Sequence, residues 1–144
     1  MKEYLARVPA PDFAFTPDGD FPVIHAEKGV LIFDLARKFP RGEAGGLELR
    51  SLTGGTAPTM VAASARAILM APKKETYEEI KAQAARFREE RKAQIRVKAI
   101  GKTLEVATTG VSAHGARPES GVNAISVLMD FLGGHSDAIV REIR

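Results

Sequence analysis

Two short segments, I-R-V-K-A at 95–99 and L-E-V-A-T at 104–108, alternate apolar and polar residues and are joined by I-G-K-T. A period of two sends every second side chain to one face of an extended strand. Gly101 supplies the backbone angles that a tight turn requires. The pattern predicts a hairpin of antiparallel neighbours, and the rest of the chain is read around it.

Immediately upstream, residues 75–92 place Tyr77, Ile80, Ala84 and Phe87 at spacings of three, four and three, the stripe of an amphipathic helix. Lys74/Glu78 and Arg86/Glu90 stand four apart on its outer face, where they can pair. Acids and bases are densest here, in residues 73–92, and the net charge of the whole chain is only +3. That mixture reads as a solvated helix face and not as a nucleic-acid patch.

Further upstream, Leu47 and Leu49 alternate with Glu48 and Arg50, as in a half-buried strand. A-R-A-I-L-M-A at 65–71 fits strand or helix by period and is taken as a strand. D-F-A-F-T at 12–16 reads as a short strand running into the turn P-D-G-D-F-P. V-L-I-F-D-L-A-R-K-F at 30–39 is rich in branched and aromatic residues, the composition of a strand. Downstream, V-N-A-I-S-V-L-M-D-F-L sets Val122, Ile125, Leu128 or Met129 and Leu132 on one helical face, with Ser120 as expected N-cap and Gly133-Gly134 as stop. A last helical piece is expected at 136–143. Strands, a helix, a hairpin and another helix make an α+β pattern: a mainly antiparallel sheet with helices packed on one face.

With 144 residues, 44% of them hydrophobic, the chain is long enough for one domain with a real core and short for a two-domain enzyme. It has no cysteine, which excludes disulfides, thiolate zinc sites and thiol nucleophiles. No window approaches the ~20 apolar residues of a membrane span, and the first residues lack the apolar stretch of a signal peptide, so a cytoplasmic protein with no membrane partner is expected.

His114 stands in T-T-G-V-S-A-H-G-A-R-P-E-S-G-V-N-A-I, after a predicted strand and before a predicted helix. Gly110, Gly115 and Gly121 let this backbone approach another surface closely. An imidazole presented there can donate a hydrogen bond to an oxygen gaining negative charge. It can equally be a surface histidine with no role, and no second His, Asp or Glu stands beside it at metal-ligand spacing. P-D-G-D, with Asp18 and Asp20, is by itself an ordinary turn.

Three stretches together match a known family. S-A-H-G, a following Pro and then G-V-N-A-I resemble the lid-domain loop of the M20 family of dinuclear zinc peptidases, in its PepV-like dipeptidase subgroup. F-A-F-T-P-D-G-D-F-P-V-I-H-A-E-K-G at 13–29 resembles the subgroup's segment where the catalytic domain passes into the lid, and G-G-T-A-P-T-M-V at 54–61 a third block. The blocks follow the family's order and cover nearly the whole chain.

The resemblance implies a catalytic-domain remnant at 1–28 and a ferredoxin-like lid, or dimerisation-type domain, at 29–144, incomplete at its C-terminal end. It implies that Asp18 is a carboxylate ligand to one of two zinc ions, a hard oxygen held in a turn at ~2 Å from the metal. It implies that His114 reaches the scissile carbonyl oxygen from the lid and stabilises the tetrahedral intermediate. Where the subgroup has a substrate-binding Asn, this chain has Thr59, with a hydroxyl, no amide donor pair and a shorter reach. No functional family residue falls on His25, which is read as structural; His135 lies in a lid helix region.

The family's remaining ligands and its general-base Glu have no counterpart among these residues, and one carboxylate cannot hold zinc at useful affinity. The expected function is therefore a piece of a zinc-dependent dipeptidase that is inactive alone and does not hold zinc by itself. Its partners would be the dipeptide substrate and the remainder of the catalytic domain. Two other readings stand beside it. A stand-alone lid-type module could dimerise through an exposed sheet edge. A nucleic-acid-binding α+β domain is the other, although its hairpin strands carry no aromatic residue for base stacking.

Overall fold

The computed structural model describes residues 6–8, 12–13, 24–26, 28–34, 36, 47–70 and 73–134. The chain divides into two compact units, Met1–Leu31 and Ile32–Arg144. In the second, the strands β1 (Glu48–Gly54), β2 (Ser64–Met70), β3 (Gln94–Ile100) and β4 (Thr103–Thr109) form one antiparallel sheet in the order β1-β2-β4-β3. Helix α1 (Lys74–Arg91) joins β2 to β3, and α2 (Ala124–Leu132) follows β4. The architecture is the expected α+β one.

Both helices lie on the same face of the sheet, because alternation gives it two unlike faces. Leu52, Ala67, Val106 and Val97 form one cross-strand row, and all four belong to or pack on the apolar core of the described residues. Tyr77, Ile80 and Ala84 from α1 and Ala124, Leu128, Phe131 and Leu132 from α2 complete that core. Phe87 and Phe131 join the helices edge to face, with ring centroids 5.4 Å apart. The neighbouring row, Thr53, Arg66, Ala107 and Arg96, looks the other way; there Arg66 meets Glu105 at 3.5 Å.

The hairpin β3–β4 turns at Gly101, whose φ of +58° is the left-handed conformation that glycine adopts freely. The hydroxyl of Tyr77 donates to the carbonyl of Lys102, tying α1 to that turn. Among the described residues the ion pairs within α1 are Lys81–Glu78 at 2.7 Å and Arg88–Glu89 at 3.8 Å, in place of the expected four-residue pairs. β1 is longer than its alternation predicts and is bulged at Arg50: Leu49 pairs with Leu69 and Ser51 already with Ile68. One extra residue on β1 thus lets two leucine positions, 49 and 52, reach the core face despite their odd spacing.

Several expectations change. Ser120 does not cap α2; it ends a 3₁₀ turn, Pro118–Ser120, and the cap is Asn123, whose side chain accepts the N–H groups of Ile125 and Ser126. Val122 pairs with Val111 as an isolated bridge, so the helix cannot begin before it and its side chain stays exposed. Residues 30–34 and 36 form no strand, and Val30, Leu31, Ile32 and Phe33 are exposed. Branched residues favour a strand only where another strand takes up the ladder hydrogen bonds, and among the described residues this run has none. Asp12 and Phe13 are likewise outside any strand, and Phe13 is exposed. His25, read as structural, is exposed. Asp18, Asp20, His135 and the helix expected at 136–143 lie outside the described residues.

Candidate functional site

β2 begins where β4 ends: Ser64 is paired with Thr109. The loop entering β2 and the loop leaving β4 therefore emerge side by side at one end of the sheet. Their pairing continues past the strands. Gly110 donates to the carbonyl of Ala63 at 2.8 Å, Val61 to Ala113 at 2.8 Å, and Gly115 to Thr59 at 2.7 Å. Met60 and His114 form an antiparallel bridge. Between Thr109 and His114 one extra residue has been inserted relative to Met60–Ser64, so the crossing behaves as an irregular, bulged extension of the β2–β4 ladder.

The small residues are what allow this. A Cβ on Gly110 would lie 2.0 Å from the carbonyl oxygen of Val122, and one on Gly115 would lie 2.9 Å from that of Thr59. One on Gly121 would meet the Ala113 side chain and the Val111 oxygen at 2.8 Å. The close approach expected at these three glycines is present at each. The return of the loop is fixed twice more. Val111 and Val122 exchange hydrogen bonds at 2.9 Å, and Ala124 donates to Ala62 at 2.8 Å. The buried hydroxyl of Thr108 donates to the carbonyl of Ala124 at 2.8 Å, anchoring the start of α2 on β4.

The result brings Thr59 and His114, predicted from blocks more than fifty residues apart, to adjoining positions on two crossed loops. Both side chains are exposed. The imidazole is not loose: its Nδ1 accepts the N–H of Ala116 at 3.1 Å, and the N–H of Arg117 closes a turn on the His114 carbonyl at 2.9 Å. With Nδ1 an acceptor, Nε2 is the nitrogen that carries a proton in the neutral ring. The site can therefore offer an N–H donor to an oxygen. Met60, the residue directly opposite His114, was not singled out from sequence; its bridge depends on register between two loops, which no local pattern encodes.

Asp18, the third predicted site residue, lies outside the described residues. Among the described residues no group of three or more His, Cys, Asp or Glu side chains could hold a metal ion. Those residues do not fit a zinc site, which takes several protein ligands. No helix among the described residues is long and apolar enough to cross a membrane.

No protein-family model matches the chain. It is 29% identical over 91% of its length to the protein named "Putative dipeptidase SH1171" of Staphylococcus haemolyticus, and 29% identical over 92% to "Putative dipeptidase YtjP" of Bacillus subtilis. It is 26% identical over 94% of its length to the Beta-Ala-Xaa dipeptidase of Lactobacillus delbrueckii subsp. lactis. In each case the chain spans 28% of the relative's length.

Proposed function

We propose that these residues are the lid-bearing segment of a cytoplasmic, zinc-dependent dipeptidase of the M20 family, PepV-like subgroup, in which His114 donates a hydrogen bond to the scissile carbonyl oxygen. Residues 1–28 would belong to the catalytic domain and 29–144 to the lid. The observation that carries the reading is the meeting of Thr59 and His114 on two crossed loops, in a chain similar over nine-tenths of its length to proteins named as dipeptidases.

The chemistry assigned to this chain's own residues is limited and definite. As a peptide carbonyl is attacked, its oxygen gains negative charge. A donor already held in place stabilises that charge without reorganising at the moment of reaction. His114 would supply the donor through Nε2, and Thr59, whose carbonyl accepts the Gly115 N–H, stands at the adjoining backbone position with a hydroxyl as its polar group. Lid closure would bring both onto the substrate and exclude water. Zinc belongs to the proposed parent enzyme: with Asp18 its one assigned ligand here, this chain alone is not expected to hold the metal or to hydrolyse dipeptides.

The test is a chimera in which this chain replaces the matching segment of the Lactobacillus Beta-Ala-Xaa dipeptidase. His114→Ala should lower kcat by roughly 10²–10³-fold, the usual cost of one oxyanion donor, with KM little changed. Thr59→Asn should raise the rate of the chimera if the amide is the better substrate contact. A His114→Ala chimera as fast as its parent would sink the reading. Zinc-dependent hydrolysis by the isolated chain would overturn the expectation that it is inactive alone.

A second reading has one observation in its favour. Among the described residues the strand order leaves β1 and β3 as the two edges of the sheet, where a further strand could pair. A stand-alone dimerisation module of lid type would use one of them. A concentration-independent monomer in sedimentation equilibrium excludes it.

A further inference from the structure

A histidine in a loop ordinarily exchanges its proton between two ring nitrogens and turns about two side-chain bonds. At His114 the main chain removes this freedom. The Ala116 N–H points at Nδ1 from 3.1 Å, and a backbone donor can be accepted there only by a nitrogen with a free lone pair. The proton of the neutral ring is thereby assigned to Nε2.

The donor is itself held. Ala116 lies in the turn closed by the Arg117 N–H on the His114 carbonyl, and that turn is pinned to the neighbouring loop by the Gly115 N–H on the Thr59 carbonyl. Thr59 comes so near that a Cβ at Gly115 would lie 2.9 Å from its oxygen and 3.3 Å from its carbonyl carbon, both backbone atoms. On the other flank Met60 stands across the bridge from His114, at the spacing where antiparallel side chains touch.

We propose that the Ala116 main-chain N–H is a positioning group, seated by the Gly115–Thr59 contact, which selects the Nε2–H tautomer of the neutral His114 ring and directs that donor away from its own loop. So held, the neutral ring offers its Nε2 proton to an oxygen ligand, a carbonyl or an oxyanion. Use of the donor on a peptide carbonyl rests on the function proposed above; the lock itself is a property of this chain.

The lock can be read directly by NMR on the ¹⁵N-labelled full chain at mildly alkaline pH. A scalar coupling across the hydrogen bond is expected between the Ala116 amide nitrogen and His114 Nδ1, with a directly attached proton on Nε2 alone. In Gly115→Ala that coupling should be lost while amides of β2 and β4 keep their protection from exchange. A proton found on Nδ1, or no coupling in the parent chain although its sheet is protected, overturns the lock. A coupling that survives in Gly115→Ala overturns the role given to Gly115. Neither failure touches the chimera assay, and a locked ring with an undiminished His114→Ala rate would defeat the catalytic reading and leave the lock standing.

Discussion

The hairpin β3–β4 and the crossing of the Thr59 and His114 loops are both antiparallel pairings, and they are held by opposite means. The hairpin pairs at every position from Gln94↔Thr109 to Ile100↔Thr103, and every second side chain of β4 is buried. Side chains decide its register. In the crossing, only Met60↔His114 pairs as a bridge, and the chains approach because Gly110, Gly115 and Gly121 bring no side chain to the contact. Core strands are specified by what they bury; this site is specified by what it leaves out. The rim can therefore be altered without dismantling the sheet, whereas the reverse is not true.

Four substitutions grade that asymmetry. Leu104→Ala empties a fully buried position on β4 and should cost ~2–5 kcal/mol in denaturant unfolding, taking the His114 loop down with the sheet. Gly110→Ala should cost ~1–3 kcal/mol, since the new Cβ collides with the Val122 carbonyl and the backbone must move. Hydrogen exchange locates the damage: the Val111 and Val122 amides should lose protection while β3–β4 keeps it. If the hairpin opens as well, the two regions are one cooperative unit. Asn123→Ala removes the acceptor for two N–H groups at the start of α2 and should lower stability by ~1 kcal/mol in the same unfolding assay. Lys98→Gln, exposed on β3, should stay within ~0.5 kcal/mol of the parent.

What could be read from sequence follows the same division. The hairpin and α1 were legible because a period of two or 3.6 repeats within each segment and needs no distant partner. Residues 65–71, by contrast, fit either period, and β2 is a strand only through its pairing with β1 and β4. The bulge at Arg50 was not: an inserted residue shows only against the strand opposite. Ser120 and Asn123 are equally good caps by chemistry, and the choice falls to Asn123 because Val122 is engaged by Val111, a contact across the loop. The run at 30–33 has strand composition and no strand, since composition does not supply a partner. At the site, the glycines announced a close approach but not what is approached. That Thr59 and Met60 are the answer depends on the register carried over from β2–β4.

That register has a consequence in time. The β3–β4 hairpin closes over its own turn, an event on the scale of ~1–10 μs. β2 must instead find β4 across the intervening helix and hairpin, between residues about forty positions apart, a non-local closure that slows folding. Because the crossed loops hang from the β2–β4 join, His114 has no place to occupy until that slower step is complete. A chain stalled at the hairpin stage would own the histidine without the site.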